Sequence, residues 1–589
     1  MITLQNFIAP EQEICTEHEL YYHTQGAVGF SQSSRSYHLS EGASISFDSY
    51  FNVFSLGKWN RGCALDSLFA ELSGSGTFEI RVTHAPSGRS WEVAYCEIVT
   101  LKEGRPHWID LSEFTGEDIE GVLYAQVMAL EGGVRFTGGR FCTEAEPLAL
   151  PRLAVSITTF KREEEVRRTV ERLEEFLEGF AFGDRVHVQV VDNGQSAEIE
   201  KTPQVTPYRN PNLGGAGGFA RGLLEAEKCR FSHCLFMDDD ASFHMENIAR
   251  TYFFLALSKD PRNAVAGAMI NNTHKWAMWE NGAWFDGSCH PLDNGADLRD
   301  INRVLEMELQ SLRPRQKTLY GGWWFFAFAI DQVQHYPFPF FVRGDDISFS
   351  LMNQFKIFTL NGVVSFQDDF TEKESAQTLY LDLRNHLVHH LVSDQLNRSP
   401  MGTAKVAIRF IMRSLVRLHY ESAQAQLLSW QDVMQGPEFF DENIDMAERR
   451  ATIQSMMKNE VWRHVDELDL EQHLRLTLKS HNRRHRLGMW TLNGHLAPFS
   501  RTRWDKKVLE IGERGMVLPA FGVSQITYLN TNRRKGYTVV QSKLQFFRIC
   551  MQMSWTLARF LLRYSALKAA YRSGYDNLTT QDYWEKRLI

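Results

Sequence analysis

Phe78, Ile80 and Val82 alternate with Thr77, Glu79 and Arg81, a period of two that predicts a half-buried strand. Ser73-Gly74-Ser75-Gly76, just before it, reads as a turn. Val122 to Leu130 and Val134 to Cys142 are further strand candidates, separated by Glu131-Gly132-Gly133. Residues 1–150 are therefore expected to form a β unit, a sandwich or jelly roll. Such a unit either binds a carbohydrate acceptor or serves as a packing platform.

The pattern changes at Pro151. Leu153 to Phe160 is an apolar strand followed by a helical period from Glu163 to Glu178. Val186 to Val191 is a second strand, ending at Asp192-Asn193-Gly194. A loop, Asn210-Pro211-Asn212-Leu213-Gly214-Gly215-Ala216-Gly217-Gly218, leads into a helix from Phe219 to Lys228. The strand carrying Cys234 to Asp238, a helix near Glu246 to Ser258 and a strand from Ala264 to Ile270 continue the alternation. Alternating apolar strands and helices predict a mainly parallel sheet covered on both faces, with ligands bound beyond the carboxyl ends of its strands. Phe160, Asp192 and Asp238 all fall at such ends.

From about Ser375 the period becomes helical, over Tyr380–Val392, Thr403–Leu428, Ile444–Lys458 and Glu467–Lys479. Between Arg533 and Tyr575 the cations Arg533, Arg534, Lys535, Lys543, Arg548, Arg559, Arg563, Lys568 and Arg572 interleave with Phe546, Phe547, Trp555, Phe560, Leu561 and Leu562, without one Asp or Glu. A basic amphipathic helix of this kind either lies on an anionic membrane or packs on the protein with a solvated basic face. The expected division is 1–150, a central unit 151–395, and a helical region 396–589 with a basic amphipathic end.

Composition narrows the class. At 589 residues the chain is too long for one ordinary core, and 43% hydrophobic residues exclude a disordered chain. A net charge of −8 gives no case for nucleic-acid binding. Eight cysteines without a CxxC pair imply neither a zinc knuckle nor a disulfide framework, which fits reduced cytosolic thiols. Met1 to Asn6 lacks the basic and apolar regions of a signal peptide, and no apolar run is long enough to span a bilayer. The expectation is a cytoplasmic protein, soluble or peripheral on the inner face of the membrane.

Three consecutive carboxylates, Asp238-Asp239-Asp240, end an apolar strand. Alternation points Asp238 and Asp240 the same way, and paired hard oxygen ligands suit Mg²⁺ or Mn²⁺ together with a substrate diphosphate. Thr159-Phe160-Lys161-Arg162 offers an aromatic edge and cations to a nucleotide, and Asp192 a carboxylate to its base or ribose, unless Asp192-Asn193-Gly194 is simply a turn. The glycine segment lets backbone approach a ligand closely. It is neither a P-loop nor a Gly-x-Gly-x-x-Gly fingerprint.

A second acidic pair, Asp345-Asp346, supplies a base for an acceptor hydroxyl or caps a helix. Trp323 and Trp324, within Gly321-Gly322-Trp323-Trp324-Phe325-Phe326, are an acceptor platform or core. Together these residues read as a nucleotide-sugar glycosyltransferase.

The same residues carry a resemblance. Tyr50-Phe51-Asn52-Val53-Phe54 with Trp59, Thr159-Phe160-Lys161-Arg162, Pro211 to Phe219, Phe236 to Asp240, Gly322-Trp323-Trp324, Asp345-Asp346 and Leu383-Arg384-Asn385 occur in the order seen in bacterial galactofuranosyltransferases of glycosyltransferase family 2, which the chain resembles. The resemblance implies an α/β GT-A core with an N-terminal β-sandwich and C-terminal helices. It implies UDP-galactofuranose as donor, a lipid-linked glycan acceptor, a divalent metal and inversion. By the same analogy Asp238 and Asp240 hold the metal, Asp346 is the base with Asp345 beside it, and Trp323 and Trp324 line the acceptor site. Thr159, Phe160, Arg162, Asp192, Asn212, Gly214, Gly215 and Asp239 are the expected donor contacts.

One departure stands out. The family's metal-binding histidine falls, by spacing, in Phe366-Gln367-Asp368-Asp369, with Gln367 opposite it. Either Asp368 is the third ligand, or Gln367 holds the metal more loosely, or the donor differs. Another nucleotide sugar and a catalytically decayed carbohydrate-binding protein remain open alternatives, as does a homo-oligomer. His386, His389 and His390 lie on a helix and are expected to be structural or surface residues.

Overall fold

The computed structural model describes residues 1–239, 242–314, 317–368, 374–468 and 483–588. Its first 143 residues form two antiparallel sheets that share one 17-residue strand, Phe69–Ala85. The strand's first half pairs with Val134–Thr143 and its second half with Val122–Ala129. Ser73 to Gly76, expected as a turn, lies inside this strand and is where it passes from one sheet to the other. Gly76 has φ +114°, and a Cβ there would sit 2.3 Å from Val134 Cγ1, so the crossing needs glycine. Phe78, Ile80 and Val82 point into the core as the alternation requires, and rings from both sheets meet there, Phe47 and Phe136 at 5.6 Å.

A seven-stranded sheet forms the middle of the chain, in the order Val205–Arg209, Val186–Asp192, Leu153–Thr159, His233–Asp238, Phe325–Ala329, Asn263–Ala266, Lys356–Phe358. The first four strands are parallel. Phe325–Ala329 runs antiparallel to both its neighbours, so the sheet is mixed rather than parallel throughout. The expected strand from Ala264 to Ile270 is broken at Gly267 into Asn263–Ala266 and Ala268–Asn271, which belong to different sheets.

The N-terminal and central units share one core and a buried polar seam. Arg250 donates to the carbonyls of Asn361 at 2.7 Å, Phe51 at 3.0 Å and Asn6 at 3.1 Å. Lys58 meets Glu308 at 2.8 Å with both side chains buried. Tyr50 to Phe54 is thus part of the seam; Asn361 Nδ2 also donates to the carbonyl of Val53.

The C-terminal region begins with helix Ala376–Val392, started by a reciprocal cap in which Ser375 Oγ accepts from Thr378 N and Thr378 Oγ1 accepts from Ser375 N. The single helix expected from Thr403 to Leu428 is two, Pro400–Val416 and Tyr420–Val433, separated where Leu418 takes φ +68°. The expected helix Ile444–Lys458 is observed over Ala447–Met456. That expected over Glu467–Lys479 falls almost wholly outside the described residues.

The region is not purely helical. Arg463–His464, Asp505–Glu510, Val523–Leu529 and Lys535–Val540 form a four-stranded sheet. The basic segment therefore opens as a strand and becomes a 36-residue helix only at Lys543–Leu578. Among the described residues no helix is long and apolar enough to cross a membrane, and all eight cysteines are free.

Candidate active site

Four backbone termini converge on one cleft of about 440 Å³. Leu153–Thr159 brings Thr158, Thr159, Phe160 and Arg162; His233–Asp238 brings Asp238 and Asp239. The glycine segment brings Asn212, Gly214 and Gly215, and the turn after Val186–Asp192 brings Asn193. These are strand ends and a helix start, the places where backbone polarity and side chains are free to meet a ligand.

The glycine segment is not a loop up to Gly218. Helix Gly214–Lys228 begins within it. Gly214 has φ +70° with the carbonyl oxygen of Phe341 2.0 Å from where a Cβ would be, and a Cβ on Gly218 would meet Thr158 Cγ2 at 2.2 Å. The glycines let this helix press against the strand Leu153–Thr159 and the Phe341 backbone, which sets its N-terminus at the cleft. Among the acidic residues, Asp345 Oδ2 lies next to Gly215, 3.4 Å from its would-be Cβ.

Arg162 Nη1 reaches Asp239 Oδ1 at 3.5 Å, and Phe160 is exposed at the cleft mouth with Lys161 Nζ 5.3 Å above its ring. Asp192 departs from the expectation. Its two carboxylate oxygens accept from the backbone N–H groups of Gly194 and Ala197, each at 2.8 Å, and it does not line the cleft. It is the cap of its own turn, the chemistry of the Asp-Asn-Gly sequence.

Of the expected metal ligands, Asp238 lines the cleft and Gln367 lies against it, Nε2 donating to Asp238 Oδ2 at 3.4 Å. Asp368, just past the end of the strand Val364–Gln367, is exposed, accepts from Asn272 at 3.3 Å and is not part of the cleft lining. Asp240 lies outside the described residues. The donors at hand are oxygens of Asp238 and, after a half-turn of its amide, Gln367; that set fits a hard divalent cation. Among the described residues no three His, Cys, Asp or Glu side chains cluster as a ready metal site.

Asp345 and Asp346 open helix Asp345–Asn353. Asp345 is buried, and its carboxyl is pushed well above the ordinary range by burial and then by the charge of Asp346. Asp346 is half-buried and also raised by its surroundings, against which the Ile347 N–H, 2.8 Å from Oδ1, and the Arg343 charge hold it down. The preceding turn is contorted, with Phe341 at φ +74° and Arg343 at φ +73°. Arg384 and Asn385, from the helix Ala376–Val392, hold it: Arg384 Nη2 donates to the Phe340 carbonyl and Asn385 Nδ2 to those of Val342 and Arg343.

Trp323 and Trp324 are both buried. Trp323 makes edge contacts with Phe219, Phe236 and Phe349, and Trp324 Nε1 donates to the Gly267 carbonyl at 2.8 Å. Neither offers an open ring face, so the aromatic run is core rather than platform. His386, His389 and His390 are buried around Phe285, at 4.8, 5.2 and 5.8 Å, and burial keeps all three neutral.

Several residues at the site carry no linear signal. Gln377 and Arg450 come from the C-terminal helices to close the cleft, Arg450 lying 5.4 Å over the ring of Phe341. Glu280, on a strand of a separate small sheet, is buried and pushed to about 8 by burial and then by the charge of Asp346. Asp382 is raised to about 6 by burial, against the pull of Arg343. Only a long-range packing pattern could have flagged these groups.

No family model matches the chain. It is 24% identical over 424 residues to Galactofuranosyltransferase GlfT2 of Mycobacterium tuberculosis, covering 67% of this chain and 66% of that protein. The same enzyme of Mycolicibacterium smegmatis matches at 24% over 439 residues, 67% of this chain and 64% of that protein. The chain thus spans just under two thirds of the length of these curated relatives.

The resemblance carried by the motifs is one that comparison along the chain also finds. Among solved structures, the mannosyltransferase PcManGT from Pyrobaculum calidifontis, in complex with GDP-Man and Mn²⁺, is similar at 15% identity, 53% of this chain and 86% of that one, with a TM-score of 0.29. GalNAc-T7 with UDP, GalNAc and Mn²⁺ matches at 11% identity, 55% and 61%, TM-score 0.29. At those scores the likeness carries no weight for this chain.

Proposed function

We propose that this chain is an inverting, metal-dependent glycosyltransferase of the GT-A type that moves galactofuranose from UDP-galactofuranose onto a growing lipid-linked, cell-surface polysaccharide, at the cytoplasmic side of the membrane. The observation that carries the reading is the convergence of the Thr159–Arg162, Gly214–Gly215 and Asp238–Asp239 segments on one cleft, with Asp345 against Gly215, in a chain similar to galactofuranosyltransferases.

The donor's nucleoside diphosphate occupies the cleft, with Phe160 at the base, Arg162 held near Asp239, and the N-terminus of helix Gly214–Lys228 aimed at the phosphates. Asp238, Gln367 and Asp240 would hold a Mn²⁺ or Mg²⁺, which supplies countercharge to the departing diphosphate. Asp346 takes the proton from the acceptor hydroxyl; its raised affinity for that proton makes it a stronger base than an exposed carboxylate. Asp345, buried and kept protonated, presents an O–H rather than a second negative charge beside it. Glu280 keeps its proton at pH 7 for the same reason and adds no negative charge beside Asp346.

Gln367 beside Asp238 favours keeping a second reading in view, the same cleft with another UDP-sugar, or a decayed carbohydrate-binding protein. Hydrolysis and transfer with a panel of UDP-sugars and a glycan acceptor, with and without Mn²⁺, separate them. Turnover of UDP-galactofuranose that needs both metal and Asp346 supports the proposal. Turnover of a different sugar replaces the donor, and no turnover of any donor leaves the binding protein.

A further inference from the structure

A second cavity, of about 610 Å³ against about 440 Å³ for the donor cleft, opens in the C-terminal region. Its size falls within the roughly 300–1,000 Å³ of ligand sites. Gln377 and Arg450 line both spaces, so the two adjoin there. Arg450 lies over Phe341, at the start of the turn that presents Asp345 and Asp346. Phe160 and Asn193, which line the cleft, do not line the cavity. The cavity therefore meets the cleft on the side of the acidic turn.

Its walls combine an aromatic ring with planar polar groups. Helix Ala447–Met456 presents Ala447, Arg450, Ala451 and Gln454, spaced i, i+3, i+4 and i+7 on one face, and the two alanines leave room above them. Trp462 is 37% exposed and meets Tyr537 edge to face at 4.9 Å. Tyr537 is itself buried, its hydroxyl 3.0 Å from His419 Nε2, so Trp462 stands on a fixed mount. Arg514 is 4% exposed; Nη1 donates to the Glu374 carbonyl, and the guanidinium lies 5.7 Å over the Tyr537 ring. Among the described residues Arg514 Nε has no hydrogen-bond partner, Glu374 Oε1 pairing with it by charge at 3.5 Å. A buried donor left unmatched is costly, and a ligand hydroxyl would answer it.

We propose that this cavity is a glycan subsite, holding sugar units of the acceptor chain behind the one whose hydroxyl reacts. The inference rests on the glycosyltransferase reading above and adds where the chain lies. Glu374 and Glu460 balance Arg450 and Arg514, so the lining favours no net charge and suits a neutral polymer. The Gln454 amide, the Glu374 carboxylate and the Arg514 guanidinium are flat groups that can each meet two neighbouring hydroxyls. Trp462 offers an apolar surface to the C–H face of a sugar, the part that Trp323 and Trp324, both buried, cannot play. An anionic ligand gains nothing from so balanced a wall.

Calorimetric titration of the UDP-loaded full chain with a galactofuranosyl disaccharide and a galactofuranosyl hexasaccharide tests this. The hexasaccharide should bind the native chain at least tenfold more tightly than the disaccharide. Trp462→Ala should weaken hexasaccharide binding by about tenfold and leave disaccharide binding within about twofold of native. Ala451→Trp, which fills the cavity from an exposed position on the helix, should do the same. It removes no buried contact, so its thermal melt should stay near that of the native chain. A native chain that binds both glycans alike, or a hexasaccharide affinity that neither variant lowers, would overturn the proposal. So would a polyanionic oligosaccharide of the same length bound as tightly as the neutral one. Hydrolysis of UDP-galactofuranose without acceptor reads the catalytic proposal separately and should be the same in all three proteins. Hydrolysis without a preference for the longer glycan keeps that proposal and overturns this one.

Discussion

Asn385 donates from Nδ2 to the backbone carbonyl of Arg343 at 2.5 Å, and to that of Val342 at 3.0 Å. The two carbonyls belong to the turn that presents Asp345 and Asp346, a turn with Phe341 and Arg343 in the left-handed region. Backbone in that conformation persists only where its surroundings hold it. Leu383-Arg384-Asn385 is thus a clamp on the acidic pair, placed one helix away from it. Asn385→Leu should lower kcat by about 10–100-fold while changing the donor KM little, since the acidic pair shifts and the donor cleft does not. Steady-state kinetics beside a thermal melt checks this; a variant with native kcat would remove the clamp role.

Asp346→Asn keeps the shape of the side chain and removes its basicity. Transfer should fall by about 10²–10⁴-fold, the usual contribution of a positioned base, with UDP binding nearly intact by calorimetry. The native enzyme should also lose activity as acid protonates Asp346. Because burial raises that carboxyl above its ordinary value of 3.8, the acid limb of kcat/KM should lie above that value. An acid limb that persists in a still-active Asn variant would assign the titration to another group.

The strand ends were legible because apolar runs stopped at Thr159 and Asp238, and chain connectivity in a parallel sheet brings such ends together. Gln367 was legible only through its family position. Asp192 reads equally as a turn cap and as a ribose contact because both ask for the same residue, and the Gly194 and Ala197 N–H groups show the cap. The C-terminal sheet had a local signal, β-branched Thr527, Thr538, Val539 and Val540, but strands of six and seven residues between charged segments do not outweigh a helical surround. Glu280 and Arg450 reach the site from 66 and 104 residues on either side of Asp346, distances over which periodicity says nothing. The glycine segment was legible as a close approach of backbone, but that Thr158 and Phe341 are the groups packed against it was not.

Glu280 offers a stability test that needs no substrate. Its carboxyl is raised from 4.5 to about 8 in the folded chain, chiefly by burial and secondarily by the charge of Asp346. A group that holds its proton more tightly when folded contributes its full stability below about 4.5 and loses it as pH rises toward 8. Glu280→Gln, which mimics the neutral acid, should therefore leave the melt at pH 4.5 nearly unchanged. At pH 8 it should stabilise the chain, by on the order of 2–5 kcal/mol. Equal melting shifts at both pH values would mean that Glu280 ionises normally.

Gln367 stands next to Asp238, at the position where the family resemblance implies a metal-binding histidine. An amide oxygen is a weak neutral ligand for a divalent ion, and an imidazole is a better one for Mn²⁺. Gln367→His should tighten UDP-dependent Mn²⁺ binding by about tenfold at pH 8, and by less at pH 6, where the imidazole competes for a proton. Calorimetric titration at both pH values decides it. Unchanged affinity would place the ion away from Gln367.

Arg450 approaches the cleft from the C-terminal region, its guanidinium 5.4 Å over the ring of Phe341. Phe341 also gives its carbonyl to the Ala216 N–H at 3.1 Å, so the arginine caps a ring whose backbone helps fix the glycine helix. A cation stacked there is held over the cleft, with Nη2 donating to the Asp445 carbonyl at 3.2 Å and its remaining N–H groups able to meet a diphosphate. Arg450→Ala should raise the donor KM by about tenfold, equivalent to about 1.4 kcal/mol, with a smaller fall in kcat. Arg450→Lys should recover only part of that loss, because an ammonium keeps the charge but not the planar fork. If both variants bind UDP like the native chain, the C-terminal helices shape the cleft without touching the donor.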